Sequence, residues 1–204
     1  MNDFESEALL KANVLPLSDL LIKLETTAEG LTPEQAKMKK KKYRGGRTGT
    51  IPKPTEMPEW LCCLLPCLDS TVEMKEYKRC IAQSAYVKRQ NRNWVNMDVM
   101  GLLGGDLVQV KAGEIVPADI RVLTTKELCT LDPVDVSGGG TYTLNQNESS
   151  NDYQYSPNMA FAGYKCIEGE FQGIVVATGG DTLVAQLMRR ALWPIKAETE
   201  SFSI

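Results

Sequence analysis

One continuous segment, GDLVQVKAGEIVPADIRVL from Gly105 to Leu123, carries the clearest structural signal in the chain. Residues 106–110 and 120–123 are short, mostly apolar segments, the first preceded by Gly104-Gly105 and followed by Ala112-Gly113, which predicts two β-strands. Pro117 fixes the backbone of the turn between them, and Asp119 is placed to cap or brace that turn. The segment therefore predicts a strand, a turn and a second strand within a β domain.

The pattern extends in both directions from this segment. Further strands are predicted at 85–89, 94–97, 161–166 and 170–178, the last two as a late hairpin. Residues 145–157 are polar without an apolar period, and they predict a long loop. Short, evenly spaced strands with glycine and proline turns predict a distorted jelly roll or β-barrel from about residue 84 to 178.

Helices are predicted on both sides of this β domain. Residues 18–44 contain two short helices, and the second begins with a capping box in which Thr32 caps the helix and Gln35 reaches back. Pro33 suits the first position of that helix. Further helices are predicted at 71–84 and 182–192. The fold class is therefore α+β: a distorted jelly-roll or β-barrel domain flanked by short helices.

Composition divides the chain into four predicted segments. They are a helical segment (1–46), a Pro-rich linker with an apolar, cysteine-containing island (47–70), the β domain with its flanking helices (71–193) and a tail (194–204). The island, Trp60–Leu68, is too short for the roughly 20 apolar residues of a membrane helix. We therefore expect no membrane span.

Charge and residue usage exclude several classes of function. The chain has 204 residues, a formal net charge of -3 and no histidine. A weakly acidic protein has no bulk attraction to nucleic acid, and the commonest general base and zinc ligand is missing. A zinc site on Cys62, Cys63, Cys67 and Cys80 is only weakly supported, because no separated CxxC pairs occur. We expect neither metal nor cofactor, and we expect reduced cysteines in a cytoplasmic setting, since no secretory signal opens the chain.

The segment at 105–123 resembles the actuator-domain signature of P-type ATPases. Residues 158–163 and 168–182 are similar to later segments of that domain, and residues 29–36 resemble the N-terminal segment of cation transporters, most closely the proton-pumping branch. The resemblance implies the N-terminal segment and actuator domain of a P-type cation-transporting ATPase, in degenerate form.

In that family a Thr-Gly-Glu-Ser loop reaches a phosphorylated aspartate on another domain, where its glutamate activates water for dephosphorylation. The matching residues here are Ser137, Gly138, Gly139 and Gly140, so Gly139 replaces the glutamate. Glycine has no side chain to accept a proton. Asp135 lies four residues earlier and would sit elsewhere on the loop. The glycines also lack the lysine and hydroxyl residue of a P-loop, so we expect no catalytic residue here.

Other parts of the pump are also missing from the sequence. The 204 residues contain no Asp-Lys-Thr-Gly-Thr phosphorylation motif, and we expect no nucleotide-binding domain. The family's first pair of membrane helices would lie where only the short apolar island stands. Together with Gly139, these losses predict a pseudoenzyme.

Two surface features are candidate contact sites. A basic run and a nearby aromatic residue are candidates for contact with an acidic partner surface or with anionic lipid: Lys39, Lys40, Lys41, Lys42 and Trp60. The alternative for the basic run is a solvated helix face. Cys62, Cys63 and Cys67 are candidates for S-acylation, which would add a peripheral membrane contact, or else for burial as small apolar side chains.

Three functions stay open from the sequence. The first is a structural or interaction subunit of a large assembly, and by analogy a cytoskeletal or ciliary one, with other proteins as partners. The second is a regulator that binds an intact P-type pump. The third is a fragment of a split ATPase, whose partner chain supplies the phosphorylation domain.

Overall fold

The computed structural model describes residues 12–42, 49–54, 72–90, 92–133 and 135–193. The predicted contact residue Trp60 and the predicted acylation sites Cys62, Cys63 and Cys67 lie outside these ranges. The helices are α1 (Leu17–Lys23), α2 (Pro33–Lys42), α3 (Val72–Cys80) and α4 (Leu183–Arg189). The strands are β1 (Ser84–Lys88), β2 (Val95–Asp98), β3 (Leu107–Lys111), β4 (Asp119–Asp132), β5 (Tyr142–Thr143), β6 (Met159–Ala160) and β7 (Lys165–Ala177).

The strands form one seven-stranded antiparallel sheet in the order β2-β1-β3-β7-β4-β5, with β6 paired to β4. The two long strands, β4 and β7, pair along most of their length at the centre of this order. Several shifts of register interrupt their ladder, and such bulges increase the local twist and bend of a strand pair. A curved antiparallel sheet with flanking helices confirms the predicted α+β class.

The predicted late hairpin is wrong. Residues 165–177 form the single strand β7, which pairs with β3 on one side and with β4 on the other. Gly169 stands between the two predicted strands but lies inside β7, with φ +76°, and a Cβ atom there would lie 2.6 Å from the Leu128 carbonyl oxygen. The glycine therefore permits close approach of two strands at an irregular register instead of ending one of them.

The predicted helix start at Thr32 is confirmed. The backbone N–H of Gln35 donates to Thr32 Oγ1 at 3.1 Å, and the Thr32 N–H donates to Gln35 Oε1 at 2.8 Å. These reciprocal bonds form the capping box and satisfy two backbone donors that a helix end would otherwise leave unpaired. The orientation of α2 is thereby fixed at its first turn.

The N-terminal helical region packs on the sheet. Leu31 is fully buried in a small cluster with Leu103, just before β3. The buried guanidinium of Arg121, on β4, donates from Nη1 to the carbonyl oxygens of Ala12 and Asn13, both at 2.7 Å. Burying a guanidinium is costly unless it is hydrogen-bonded, so these bonds tie the start of the described chain to the centre of the sheet.

The main core lies beneath β4 and β7 and contains an aromatic group. The rings of Phe161 and Tyr164 pack edge to face at 5.4 Å, and Tyr153 contacts Phe161 at 5.0 Å. Full burial of one large apolar side chain contributes about 1.5–3 kcal/mol. Across the described ranges, no helix has the length and apolar character that crossing a membrane requires.

Candidate functional site

The degenerate loop lies between β4 and β5. Val136 is fully buried and anchors the loop to the core. Ser137 and Tyr164 share a hydrogen bond of 2.6 Å between their hydroxyl oxygens, and the Tyr155 hydroxyl donates to the Gly138 carbonyl oxygen at 3.3 Å. The loop is therefore bound to the surface of its own domain by two tyrosines.

Gly139 occupies a position that disfavours a side chain. Its φ is +87°, in the left-handed region that residues other than glycine rarely adopt. A Cβ atom there would lie 2.8 Å from the hydroxyl oxygen of Tyr155 and 3.2 Å from a ring carbon. Any larger residue would have to displace that ring. Gly140 lies in open space, with no heavy atom within 4 Å of a Cβ built there.

The nearby carboxylate of Asp135 is already engaged. Arg79, on α3, donates to its Oδ1 at 3.1 Å, and the indole N–H of Trp193 donates to its carbonyl oxygen at 3.0 Å. Both contacts attach the start of the loop to flanking helical segments. Asp135 is thus held in an ion pair instead of standing where Gly139 stands.

Behind the loop, the core contains a fully buried carboxyl group. Asp119 accepts hydrogen bonds from the backbone N–H of Ala162 at 3.0 Å and of Leu183 at 2.8 Å. Burial raises the pKa of Asp119 to about 7, although the two N–H donors oppose that shift. The side chain braces the turn before β7 and the start of α4. Its partners therefore differ from the prediction, which placed Asp119 as a cap or brace of the turn before β4.

Of the four cysteines weighed as zinc ligands, Cys80 lies in the described part of the chain. It is buried at the end of α3, and burial raises the pKa of its thiol to about 12. Zinc binds the thiolate, so this environment disfavours Cys80 as a ligand. Among the described residues, no three histidine, cysteine, aspartate or glutamate side chains are grouped to hold a metal ion.

The predicted lysine run separates into two groups. Lys39 turns inward, and its Nζ donates to the carbonyl oxygens of Leu24 at 2.6 Å and Gly104 at 2.9 Å. Burial lowers the pKa of Lys39. Lys40, Lys41 and Lys42 are exposed on the outside of α2. Lys39 thus joins the helix to the sheet, while the side chains of Lys40 and Lys41 are exposed at the surface.

Sequence reasoning missed the residues that hold the degenerate loop. Tyr155 lies in the polar segment predicted as a long loop, within a short 3-10 helix at Tyr153–Tyr155. Arg79 lies in a helix that carried no functional signal. Neither residue belongs to a recognisable motif, because their roles arise from contacts across the fold.

Comparisons with known proteins agree with this architecture. The family model of the P-type ATPase actuator domain matches residues 79–192. The chain is 30% identical over 136 residues to the sodium/potassium-transporting ATPase subunit alpha-3 of Oreochromis mossambicus, covering 63% of this chain and 13% of that protein. It is 31% identical over 137 residues to the alpha-1 subunit of Catostomus commersonii, again covering 63% and 13%.

A crystal structure of a zinc-transporting PIB-type ATPase in the E2.Pi state is 17% identical, with a TM-score of 0.45, over 63% of this chain and 20% of that one. The match spans about 13% of the length of the curated relatives. The family model covers more than half of the 204 residues and includes the segment at 105–123 that resembled the actuator signature. The chain therefore belongs to the P-type ATPase actuator-domain family.

Proposed function

We propose that this chain is a catalytically inactive actuator domain that acts through its surfaces, as an interaction or structural subunit of a larger assembly. The observation that carries the proposal is the environment of Gly139. The position that matches the family's glutamate has no carboxylate, its φ is +87°, and the Tyr155 hydroxyl oxygen lies 2.8 Å from where a Cβ atom would stand. General-base catalysis needs a carboxylate at one defined place.

The contacts of the loop support the same conclusion. In the family the loop must reach an aspartate on another domain. Here Ser137 is bonded to Tyr164, Gly138 is bonded to Tyr155, and Asp135 pairs with Arg79. Releasing the loop would break all three contacts, at a net cost of about 1 kcal/mol for each hydrogen bond. A loop held in this way is suited to forming part of a fixed interaction surface.

Two other functions have a supporting observation each. The identity of 30% to a sodium/potassium-transporting ATPase subunit favours a regulator that binds the cytosolic face of an intact pump, where it would mimic the pump's own actuator. The coverage of 13% of that relative favours a fragment of a split ATPase. A cytoskeletal or ciliary location stays a prediction, as does peripheral membrane contact through the apolar island.

One experiment separates these functions. Proximity labelling and co-purification of the full chain, read by mass spectrometry, identify its neighbours. A stable set of non-pump proteins supports a subunit of an assembly, whereas capture of an intact pump supports the regulator. A monodisperse monomer without any co-purifying protein contradicts all three.

Hydrolysis of ATP and of p-nitrophenyl phosphate is then measured for the purified complex. Turnover above that of the buffer contradicts the proposed inactivity. The variant Gly139→Glu is compared with Gly140→Glu, which adds the same carboxylate one residue away in open space. Turnover that appears with Gly139→Glu alone supports the split ATPase, because a partner would then supply the remaining machinery.

A further inference from the structure

A cleft opens between α2 and the end of β1, and five cationic side chains line it. Its volume is about 360 Å³, at the small end of the range for ligand sites. The floor is apolar and includes Pro33 and Ala36. The cations around it are Lys37, Lys40, Lys41, Arg89 and Arg92. Among the described residues that line the cleft, none is acidic.

The three lysines share one face of α2. Lys37, Lys40 and Lys41 are spaced three and four residues apart, so they are neighbours on the helix surface. Like charges at this spacing repel one another and destabilise the helix by a few tenths of a kcal/mol for each pair. The cluster therefore has no evident role in folding, in contrast to Lys39, which bonds to two backbone carbonyl oxygens.

The direction of these lysines is fixed by the rest of the helix. The capping box at Thr32 holds the first turn of α2, burial of Ala36 beside Leu103 holds its inner face, and the Lys39 bond to Gly104 holds its later turns. These contacts prevent α2 from rotating about its axis. The lysines are thus presented towards the cleft as a preorganised group, which lowers the ordering cost of binding.

The other wall of the cleft is formed by Arg89 and Arg92, and hydrogen bonds fix the position of Arg89. Arg89 forms a two-point ion pair with Asp106, with Nε and Nη2 at 2.7 and 2.8 Å from the two carboxylate oxygens. Nη2 of Arg89 also donates to the Gly101 carbonyl oxygen. Among the described residues, Nη1 of Arg89 has no hydrogen-bond partner. Arg92 is exposed beside it.

We propose that this cleft binds an acidic polypeptide segment of a partner protein. The inference rests on the proposed role as an interaction subunit and names the chemistry of its partner. Arg89 is paired with Asp106, so the three lysines and Arg92 supply the positive charge that an anionic ligand would complement. The apolar floor between cationic walls suits an extended chain, whose carboxylates reach the lysines and arginines while its backbone and methylene groups cover Pro33 and Ala36. The net charge of -3 disfavours nucleic acid, and a lipid surface is tested below as the alternative.

The test uses the full chain and a short fluorescein-labelled polyglutamate peptide, read by fluorescence anisotropy. The control peptide has glutamine in place of every glutamate. We expect binding of the glutamate peptide alone, with an affinity that falls as salt rises, since the contacts are between exposed charges. Equal binding of both peptides, or an affinity independent of salt, overturns the proposal.

Variants locate the site. Lys40→Glu/Lys41→Glu should weaken peptide binding about tenfold or more, and Arg92→Glu, which lies outside α2, should weaken it in the same direction. The matched control is Lys23→Glu/Lys53→Glu, which changes the net charge equally at two exposed lysines away from the cleft, and it should bind within about twofold of wild type. Equal weakening by the control pair overturns the proposal. Far-ultraviolet circular dichroism and thermal unfolding verify that each variant is folded.

Two further probes separate the alternatives. Phosphatidylserine vesicles and duplex DNA are titrated under the same conditions, and tighter binding to either than to the peptide overturns the proposal. Failure of the cleft assignment and failure of the proposed function give different results. If the peptide does not bind but partners still co-purify with the chain, only the cleft assignment is contradicted. If the complex hydrolyses substrate, the proposed inactivity is contradicted and the cleft assignment stands.

Discussion

The hydroxyl oxygen of Tyr155 lies 2.8 Å from the point where a Cβ atom would stand on Gly139. A side chain at this position would therefore meet the Tyr155 ring, whether or not position 139 corresponds to the glutamate of the family, as we propose. Restoring a side chain at this position requires a strained backbone and a displaced tyrosine.

Substitutions at three glycines separate the cost of a strained backbone from the cost of displacing the Tyr155 ring. Gly113 has φ +89° with no atom near its Cβ position, Gly139 has φ +87° and the Tyr155 ring, and Gly140 has neither. We expect Gly113→Ala to lower the free energy of unfolding by about 1 kcal/mol and Gly139→Ala by about 2 kcal/mol. Gly140→Ala should leave it unchanged or raise it by about 0.5 kcal/mol. Urea denaturation measures all three.

A second substitution checks the role of the ring. In a Tyr155→Ala background, Gly139→Ala should cost about 1 kcal/mol, the value expected for backbone strain alone. An unchanged cost would mean that Tyr155 does not restrict this position.

Lys39 and Lys40 are adjacent in sequence but differ in their contacts. Lys39→Met removes two hydrogen bonds from a charged donor to the carbonyl oxygens of Leu24 and Gly104. We expect this variant to lower the free energy of unfolding by about 1–3 kcal/mol. Lys40→Met is the matched control at an exposed position and should change it by less than about 0.5 kcal/mol. Equal effects would contradict the inward placement of Lys39.

The ion pair between Arg89 and Asp106 is the best-buried one described. Asp106 has a fully buried side chain and Arg89 is 18% exposed, whereas the Lys126–Glu170 pair is open to solvent at the lysine, which is 73% exposed. Arg89→Met should cost about 3 kcal/mol or more, because it leaves a buried carboxylate without its cation. Lys126→Met should cost less than about 1 kcal/mol. Chemical denaturation of both variants tests the contrast.

Asp119 predicts an unusual dependence of stability on pH. Its pKa is raised to about 7 in the folded chain from an ordinary value of 3.8. Between these two pKa values the folded protein keeps the proton that the unfolded chain has lost. The free energy of unfolding should therefore fall as pH rises from about 4 to about 7, by at most about 1.4 kcal/mol for each pH unit from this group, and level off above.

Asp119→Asn removes this titration. The difference in unfolding free energy between wild type and variant should decrease over the same range of pH. A difference that is constant from about pH 4 to about pH 7, or that grows, would show that the Asp119 carboxyl group is ionised when buried.

Sequence patterns predicted much of this fold, for reasons that depend on particular residues. Alternating side chains predicted β1, short apolar segments near turn residues predicted β2 and β3, and the capping box predicted the start of α2. The two-residue strands β5 and β6 are too short to show a period. The single strand β7 was predicted as parts of two strands on either side of Gly169, because the sequence does not distinguish a glycine in a bulge from a glycine in a turn.

The candidate site was predicted only in part. The absence of glutamate at Gly139 is visible in the sequence, whereas the contact with Tyr155 is not, since a polar loop carries no signal of where it packs. In the same way a run of lysines gives no indication that Lys39 is turned inward and that Lys40 is not. Their difference arises from the carbonyl oxygens that the fold places next to the helix.

The hydrogen bonds from Arg121 to the carbonyl oxygens of Ala12 and Asn13 connect a strand inside the family match to a segment well before residue 79, where that match begins. The Tyr77 hydroxyl similarly donates to the Ile51 carbonyl oxygen at 2.6 Å. The family match is thus narrower than the set of residues that these hydrogen bonds join. A protein shortened to residues 79–192 would lack the carbonyl oxygens that accept hydrogen bonds from Arg121. It should unfold at a lower temperature than the full chain.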